Sequence, residues 1–324
     1  MTVVVCPNLA VDRVVRVDEL VPGAMMRGKS MQHQAGGKGA NVARALGQLG
    51  GGALLVGYAA GQTGRLIGEL AAAEGLEVLL VATAGEARVS TVFLEIGGRV
   101  TDVFEYGPRL AAGDEAALIE TVADRHAREG EWAVVDGSAP PGSTDDFFAT
   151  LVHTLHAAGY RVMLDATGAQ LNPALAAHPE VVKVNAREAG ATRGATVDEA
   201  SATRAATVDE ASANAACARL VEAGAQIAVV TLGASGAVAL VHGRSYRVET
   251  DAVESVNPTG SGDCFAAGLL LCLERDDAFS AALAVAAGAA TANAASPLTA
   301  HFDSALAAKL TAEAVVTSEP ASSA

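Results

Sequence analysis

The chain has few basic residues, few aromatic residues and only four cysteines, and each shortage narrows what it can be. It holds 22 Lys or Arg against 37 Asp or Glu in 324 residues, which gives a formal net charge of −15. Because contacts to phosphate backbones need clustered cations, this balance argues against nucleic acid and against anionic membrane surfaces as partners. It does not exclude a small anionic metabolite, since salt screens a diffuse field within about 8 Å.

Other absences concern metals, export and membranes. The cysteines form no C-x-x-C pair, which argues against a zinc site and favours buried thiols in a reducing compartment. The first residues lack a basic segment followed by a long apolar stretch, so no signal peptide is predicted. The longest apolar stretch, residues 278–295, is mostly Ala and Gly and is typical of a buried helix. We therefore expect a cytoplasmic protein.

What the chain does contain is a repeated alternation of strand-like and helix-like segments. Short β-branched runs occur at residues 3–5, 53–56, 132–135, 162–164, 181–184 and 227–231, with helical patterns between them. Such alternation predicts an α/β fold with a parallel sheet covered on both faces. We assign residues 1–9, 36–88 and 106–316 to this main domain, including a late hairpin at 237–248.

Three segments depart from the alternation. Residues 10–35 and 89–105 indicate a separate small antiparallel sheet, with a hairpin turn at Gly97 and Gly98. Residues 317–324, rich in Ser, Ala and Glu, are expected to be a frayed tail. Residues 190–200 and 201–211 nearly duplicate each other, but two copies are too few for a solenoid, so we interpret them as a surface insertion without assigned function.

The first glycine-rich segment is Ala35-Gly36-Gly37-Lys38-Gly39-Ala40-Asn41. Glycines allow positive φ and close approach of a ligand, and the free N–H groups of the following helix point toward the same place. Lys38 is followed by Gly39, so the segment is not a Walker A loop, and it lacks the G-x-G-x-x-G spacing of dinucleotide sites. A glycine turn that merely caps a helix is the alternative.

The second glycine-rich segment is Asn257-Pro258-Thr259-Gly260-Ser261-Gly262-Asp263. Gly260 and Gly262 predict a tight turn into a helix, whose N-terminus attracts anions. Asp263 falls in the first turn of this helix, where it could simply favour the helix dipole.

Together the two segments resemble the two signatures of the PfkB (ribokinase-like) carbohydrate kinases. Other segments resemble the phosphofructokinase branch of that family, which includes 1-phosphofructokinase and tagatose-6-phosphate kinase, and the likeness runs in order from about residue 3 to about residue 300. These segments are Asn8-x-Ala10-x-Asp12, Asn41-Val42-Ala43-Arg44, Glu105-x-Gly107-Pro108, Gly137-Ser138-Ala139-Pro140-Pro141-Gly142, Leu164-Asp165-Ala166-Thr167-Gly168, Lys183-x-Asn185-x-x-Glu188 and Thr231-Leu232-Gly233-Ala234-Ser235-Gly236-Ala237. The resemblance implies a three-layer α/β/α sandwich with a mostly parallel sheet and a small β lid over the sugar.

The resemblance also implies an ATP-dependent transfer of a phosphoryl group to a sugar hydroxyl. Asp263 matches the catalytic base of the family, which takes the proton of the hydroxyl. The backbone N–H groups of Gly260, Ser261 and Gly262 would face the charge on the migrating group.

On the nucleotide side, the resemblance implies ATP and Mg²⁺ as cofactors. Asn185 and Glu188 match the family's K-P-N-x-x-E segment, in which they help to place Mg²⁺ and its waters, although Val184 replaces the proline here. The matching nucleotide-binding residues are Lys183, Asn185, Thr231, Gly233, Gly236 and Asn293. Glu188 could otherwise be a solvated helix residue, Lys183 a strand-end cation and Asn293 a local hydrogen bonder.

On the sugar side, the matching residues are Asp12, Gly37 and Asn41 for hydroxyls, Ser138 beside them, and Arg27, Lys38 and Arg88 for a substrate phosphate. Arginine suits phosphate oxygens. The match is incomplete, because Met25 stands near a lysine of some members and Asp102 stands where one branch has an arginine. A sugar phosphate is favoured over a free sugar or nucleoside, and both alternatives stay open.

Two further hypotheses are weighed against the kinase. A sugar- or nucleotide-binding regulator on the same fold would share the pattern without catalysis, although Asp263, Asn185 and Glu188 favour an enzyme. A dinucleotide oxidoreductase is disfavoured because residues 6–12 contain no glycine. A homodimer formed through the lid is expected from the resemblance alone.

Overall fold

The computed structural model describes residues 1–191 and 209–321, so most of the duplicated segment lies outside the described residues. The strands of the described residues, in chain order, are β1 (Thr2–Val5), β2 (Ala10–Val17), β3 (Ser30–Gly36), β4 (Ala53–Ala60), β5 (Glu77–Thr83), β6 (Arg88–Glu95), β7 (Val100–Phe104), β8 (Trp132–Gly137), β9 (Arg161–Ala166), β10 (Val181–Asn185), β11 (Ile227–Thr231), β12 (Ala237–Val241), β13 (Arg244–Glu249) and β14 (Val315–Pro320). The α-helices are α1 (Lys38–Gln48), α2 (Gly61–Ala73), α3 (Asp114–Ala123), α4 (Phe147–Ala157), α5 (Leu171–Leu175), α6 (Ala186–Ala191), α7 (Glu210–Glu222), α8 (Ser261–Glu274), α9 (Phe279–Ala294) and α10 (Ser304–Glu313).

Ten strands form the main sheet, in the order β14-β13-β12-β11-β10-β9-β8-β1-β4-β5. The strands from β11 to β5 along this order pair in parallel, and β12, β13 and β14 continue the sheet antiparallel. A parallel sheet is stable only when both of its faces are covered, which the helices between the strands do here.

Alternate residues of the central strands belong to two separate cores. In β1, Val4 packs into the core with α1, α8, α9 and α10, while Val3 and Val5 pack into the core with α3, α4 and α7. Side chains of a strand point to opposite faces in turn, so the two cores lie on opposite faces of the sheet. This confirms the predicted three-layer α/β/α sandwich.

A second sheet of four strands has the order β3-β2-β6-β7. Its inner face carries Val14, Val92 and Leu94, which pack against Leu298 of the main body. The prediction of a purely antiparallel sheet is wrong in one respect, because β2 and β6 pair in parallel. The two strands are separated by β3 and by residues 37–87 of the main domain, which gives the chain the crossover that a parallel pair requires.

The expected frayed tail is also corrected. Residues 317–320 belong to β14, which pairs with β13 from Val315 to Pro320. The segment forms a strand despite its polar composition, because it begins with β-branched residues and an open sheet edge is available. Pro320 stands at the end of this edge strand, where a missing N–H is tolerated. Among the described residues, no helix is long and apolar enough to cross a bilayer.

Candidate active site

The polar groups of interest gather where parallel strands of the main sheet end. Asp136, Asp165, Asn185 and Thr231 occupy or adjoin the C-terminal ends of the neighbouring strands β8, β9, β10 and β11. Open α/β sheets bind ligands at this edge. The helices α1 and α8 begin over the same edge and bring the two glycine-rich segments together.

The turn that starts α8 is shaped by Gly260, whose φ of 82° lies in the left-handed region. A Cβ there would stand 2.5 Å from the Cγ2 of Thr299, so only glycine fits. The N–H of Ser261 donates to the Pro258 carbonyl at 3.1 Å, whereas the N–H groups of Gly260 and Gly262 have no protein partner among the described residues. The expected set of three anion-binding amides is thereby reduced to the two glycine amides, because the turn itself uses the third.

Asp263 lies in the first turn of α8 and is 5% exposed. Its Oδ2 accepts a hydrogen bond of 2.8 Å from Nδ2 of Asn41, on α1. Its Oδ1 accepts none from the described residues, so it is available to a hydroxyl. Burial raises the pKa of Asp263 to about 6, although the charges of Lys38 and Lys183 act in the opposite direction. A carboxylate with this pKa is ionised at neutral pH and still accepts a proton readily.

The early glycine-rich segment turns at Gly37, which has a φ of 93° and precedes α1. A Cβ at Gly36 would stand 2.3 Å from the Cγ of Asp12, so the glycine leaves room for that carboxyl group. Asp12 is buried, and burial raises its pKa to about 6 against the charges of Arg44 and Arg88. Asp12, Gly37 and Asn41 thus lie together, as the sequence predicts.

Two lysines share one carboxylate beneath these loops. Lys38 Nζ donates to Asp165 Oδ1 at 2.8 Å and to Glu188 Oε1 at 3.4 Å, and Lys183 Nζ donates to Asp165 Oδ2. Burial acts to raise the pKa of Asp165, but both ammonium groups outweigh it and hold the pKa below its usual range. A Cβ at Gly262 would stand 3.2 Å from Lys183 Nζ, which puts this cation directly under the first turn of α8. Asp165 therefore holds both cations together next to the start of α8.

Sequence reasoning missed Asp136, the in-register neighbour of Asp165 on β8. Its side chain is fully buried, and neither carboxylate oxygen has a hydrogen-bond partner in the part of the chain that the structure describes. Burial, followed by the negative charges of Asp165 and Asp263, raises its pKa well above the usual range. Its position directly before Gly137-Ser138 was the only signal in the sequence.

Asn185 and Glu188 hold each other at the start of α6. The N–H of Glu188 donates to Asn185 Oδ1 at 2.9 Å, and the N–H of Asn185 donates to Glu188 Oε2 at 2.8 Å. This reciprocal arrangement is a capping box. Among the described residues no group of three acidic, His or Cys side chains could hold a metal, so an ion here would depend on phosphate and water ligands, as Mg²⁺ commonly does.

The residues expected around the nucleotide fall in two places. Thr231 pairs with Asn185 across β10 and β11, and Gly233 and Gly236 follow it with φ of 61° and 81° in the next turn. Asn293 is fully buried elsewhere and is used within the protein. Its Nδ2 donates to the Thr259 carbonyl and to Ser261 Oγ, both at 3.0 Å, and its Oδ1 accepts from Ala300 N–H. Asn293 therefore braces the α8 turn, and its place in the nucleotide pocket stays a prediction.

The residues expected near a substrate phosphate differ in whether the protein holds them in place. Arg88 Nε donates to the Asn8 carbonyl at 3.1 Å, and Asn8 Nδ2 donates to Ser138 Oγ at 3.1 Å, so these residues adjoin the early glycine loop. Arg27 is exposed and makes no hydrogen bond or ion pair among the described residues. Asp102 of the small sheet accepts a hydrogen bond of 3.3 Å from Thr259 Oγ1, which links this sheet to the α8 turn.

The sequence is similar to those of known carbohydrate kinases. The profile of the pfkB family carbohydrate kinases matches residues 1–305. The chain is 30% identical over 264 residues to a 1-phosphofructokinase of Rhodobacter capsulatus, covering 81% of this chain and 80% of that protein. It is 31% identical over 277 residues to a 1-phosphofructokinase of Xanthomonas campestris pv. campestris, covering 83% of each.

Solved structures agree on the fold. Phosphofructokinase-2 from Escherichia coli in complex with potassium superposes with a TM-score of 0.86 at 24% identity, over 96% of this chain and 97% of that one. Arabidopsis thaliana ribokinase complexed with ribose and ATP gives a TM-score of 0.71 at 22% identity, over 96% and 98% of the two chains. With the family profile over almost the whole chain, these matches lead to one conclusion: the chain belongs to the pfkB family of carbohydrate kinases and is an ATP-dependent, phosphofructokinase-like enzyme.

Proposed function

We propose that this kinase transfers the γ-phosphoryl group of ATP to a hydroxyl group of a ketohexose monophosphate, with fructose 1-phosphate as the first candidate. The observation that carries the proposal is the hydrogen bond of 2.8 Å between Asn41 and Asp263, which joins the two glycine-rich segments around one carboxylate. The names of the two 1-phosphofructokinase relatives support the substrate class.

In the proposed reaction Asp263 is the general base. Its free Oδ1 takes the proton of the sugar hydroxyl while the hydroxyl oxygen forms a bond to the γ-phosphorus. The bond between that phosphorus and the β,γ-bridging oxygen breaks, and ADP leaves with the electron pair. Asn41 holds the other carboxylate oxygen, so the base keeps its orientation during the transfer.

The charge that develops on the migrating group meets donors already in place. The free N–H groups of Gly260 and Gly262 and the N-terminus of α8 face this charge. Lys183 lies under the same turn, and Lys38 joins it from the other glycine loop. Fixed donors of this kind need no reorganisation during the reaction, which is why they lower the barrier.

Mg²⁺ fits the site only through waters and ATP phosphates, because Asn185 and Glu188 already use their oxygens in the cap and the ion pair. The ion would neutralise phosphate charge when bound. Thr231, Gly233 and Gly236 take the nucleotide side, and Asp12, Gly37, Asn41, Ser138, Arg88 and Arg27 take the sugar side.

The small sheet is proposed to act as a lid that excludes water from the cleft. Its contact through Asp102 and Thr259 supports this role, because it closes one side of the α8 turn. The proposed location is the cytoplasm, because the enzyme consumes ATP and because its four cysteines are buried free thiols, which are typical of a reducing compartment.

A coupled ADP-release assay tests the substrate. It compares fructose 1-phosphate, fructose 6-phosphate, tagatose 6-phosphate, free hexoses, ribose and nucleosides under one set of conditions. The highest kcat/KM is expected for fructose 1-phosphate. A preference for an unphosphorylated sugar would contradict the assignment of Arg27 and Arg88, and ATP binding without turnover of any acceptor would favour the regulator.

A further inference from the structure

A series of hydrogen bonds links Asp263 to Glu74, which lies outside the cleft. Arg44 Nη1 donates to Asn41 Oδ1 at 2.9 Å, and Asn41 Nδ2 donates to Asp263 Oδ2 at 2.8 Å. At its other side Arg44 Nε donates to Glu74 Oε2 at 2.8 Å. Arg44 is 4% exposed, and Glu74 is the C-cap residue that directly follows α2, so the hydrogen bonds lead from the end of α2 to Asp263.

This series of hydrogen bonds dictates which end of the Asn41 amide faces the base. A guanidinium group has only donors, so the amide atom that faces Arg44 must be the oxygen. The amide nitrogen is then left to donate to Asp263. Without Arg44, the hydrogen bond to Asp263 is the remaining one of the two that fix this orientation of the amide.

Arg44 also holds the start of the early glycine loop. Its Nη2 donates to the Ala35 carbonyl, and Glu74 Oε1 accepts from the Ala35 N–H at 2.8 Å. Both backbone groups of Ala35 are therefore fixed by one ion pair. The Arg44–Glu74 pair thus positions the loop that is proposed to bind the sugar. Through Asn41 it also positions the carboxylate that is proposed to activate the sugar hydroxyl.

We propose that Arg44 is a positioning residue for phosphoryl transfer, which acts through Asn41 on the orientation and basicity of Asp263 and is itself held by Glu74. The inference rests on the proposed function, because it needs Asp263 to be the base. Arg44 touches no reacting atom. Its removal should therefore change the chemical step more than it changes the binding of ATP.

The test is the pH dependence of kcat for Arg44→Lys, with the fraction of folded protein measured for each variant. A lysine has one ammonium group and cannot serve Asn41, Ala35 and Glu74 together. We expect kcat to fall by about 10- to 100-fold. The acid limb should move upward by about half a pH unit to one unit, because the hydrogen bond from Asn41 favours the ionised form of Asp263. The KM for ATP should change less than kcat.

Arg161→Lys is the matched control. The Arg161 guanidinium donates to the Gly130 carbonyl at 2.8 Å and lies 4.6 Å from the ring centre of Trp132, at the opposite end of the strands from the cleft. It should leave the pH profile unchanged. Glu74→Gln keeps an oxygen acceptor for Arg44 and should give a smaller shift in the same direction, which tests the proposal even if Arg44→Lys does not fold.

The inference would be overturned if the acid limb of the kcat profile, corrected for the fraction of folded protein, stayed at the same pH in both Arg44→Lys and Glu74→Gln. Asp263→Asn separates this outcome from failure of the proposed function. If Asp263→Asn is inactive while the Arg44 variant keeps the normal profile, only the positioning role is wrong. If Asp263→Asn keeps full activity, the proposed base is wrong.

Discussion

At the scale of single residues, the site contains three aspartates whose carboxyl groups have different surroundings. Within residues 1–191 and 209–321, Asp165 accepts from two lysines, Asp263 accepts from one amide, and Asp136 accepts no hydrogen bond. Since all three are buried, the partners decide which of them stays ionised. These differences lead to two predictions.

Replacement of Asp263 by Asn should lower kcat by a factor of about 100 to 10,000, because an amide cannot take the proton of the sugar hydroxyl. In the unmodified protein kcat/KM should fall as the pH decreases through about 6, where both Asp263 and Asp12 become protonated. Steady-state rates from pH 5 to 9 check this. Binding of ATP, measured by calorimetry, should change little. A variant that keeps the normal kcat would contradict the role of Asp263.

Replacement of Asp136 by Asn should stabilise the protein at neutral pH by about 1–3 kcal/mol. The folded pKa of Asp136 is raised above its unfolded value, so the folded state binds this proton more tightly and the free energy of unfolding decreases as the pH rises above about 4. The variant should lose this part of the pH dependence. Urea unfolding at several pH values measures it.

Asp165→Asn is the control for Asp136→Asn, since the two residues are register neighbours. It removes the shared partner of two ammonium groups, so a loss of about 3–5 kcal/mol is expected. If both substitutions changed the free energy of unfolding equally and in the same direction, the conclusion that Asp165 is paired and Asp136 is not would be contradicted.

At the scale of elements, the start of α8 combines a left-handed turn at Gly260 with two backbone N–H groups that have no partner among the described residues. Its geometry depends on contacts from other elements, because Asn293 of α9 holds the Thr259 carbonyl and Ser261, and Thr299 closes the space beside Gly260. The proposed anion site therefore depends on α8, α9 and the loop after α9 and not on the glycine-rich segment alone.

Replacement of Gly260 by Ala should reduce kcat/KM at least about tenfold, because a Cβ 2.5 Å from Thr299 forces the turn and its amides to move. Gly50→Ala provides a matched control. Gly50 has a similar φ of 81°, but its Cβ would meet nothing within 4 Å. Both variants should lose about 1 kcal/mol of stability from the left-handed conformation, and only Gly260→Ala should lose activity. Equal kinetics for the two variants would argue against the α8 turn as the phosphoryl site.

At the scale of the whole molecule, the small sheet presents apolar side chains to solvent. In and after its edge strand β7, Val103, Phe104 and Tyr106 are 53%, 58% and 76% exposed. An exposed apolar edge of this kind marks an association surface. It supports the expectation, drawn from the family resemblance, that two copies of the chain associate through their small sheets.

Sedimentation velocity should give twice the monomer mass for the unmodified protein and the monomer mass for Val103→Lys. Val315→Lys serves as the control, because Val315 is 61% exposed on β14, in the main sheet, and should leave the dimer intact. A monomeric unmodified protein, or equal behaviour of the two variants, would contradict association through the small sheet.

The sequence by itself determined the strand–helix alternation, the two glycine turns and the place of Asp263 at a helix start. These features depend on neighbouring residues, whose backbone preferences and periodicity are visible locally. It also indicated β2, β6 and β7 as a separate unit, since their alternating pattern differs from that of buried parallel strands.

Only the tertiary structure decided which side chains meet. Asn41 and Asp263 are 222 residues apart, Lys38 and Asp165 are 127 apart, and Arg44 and Glu74 are 30 apart. It also decided that Asn293 braces a turn, that Asp136 has no partner and that residues 317–320 join a sheet edge. Each of these outcomes depends on which donor or acceptor packing brings within about 3 Å, and no local pattern encodes that distance.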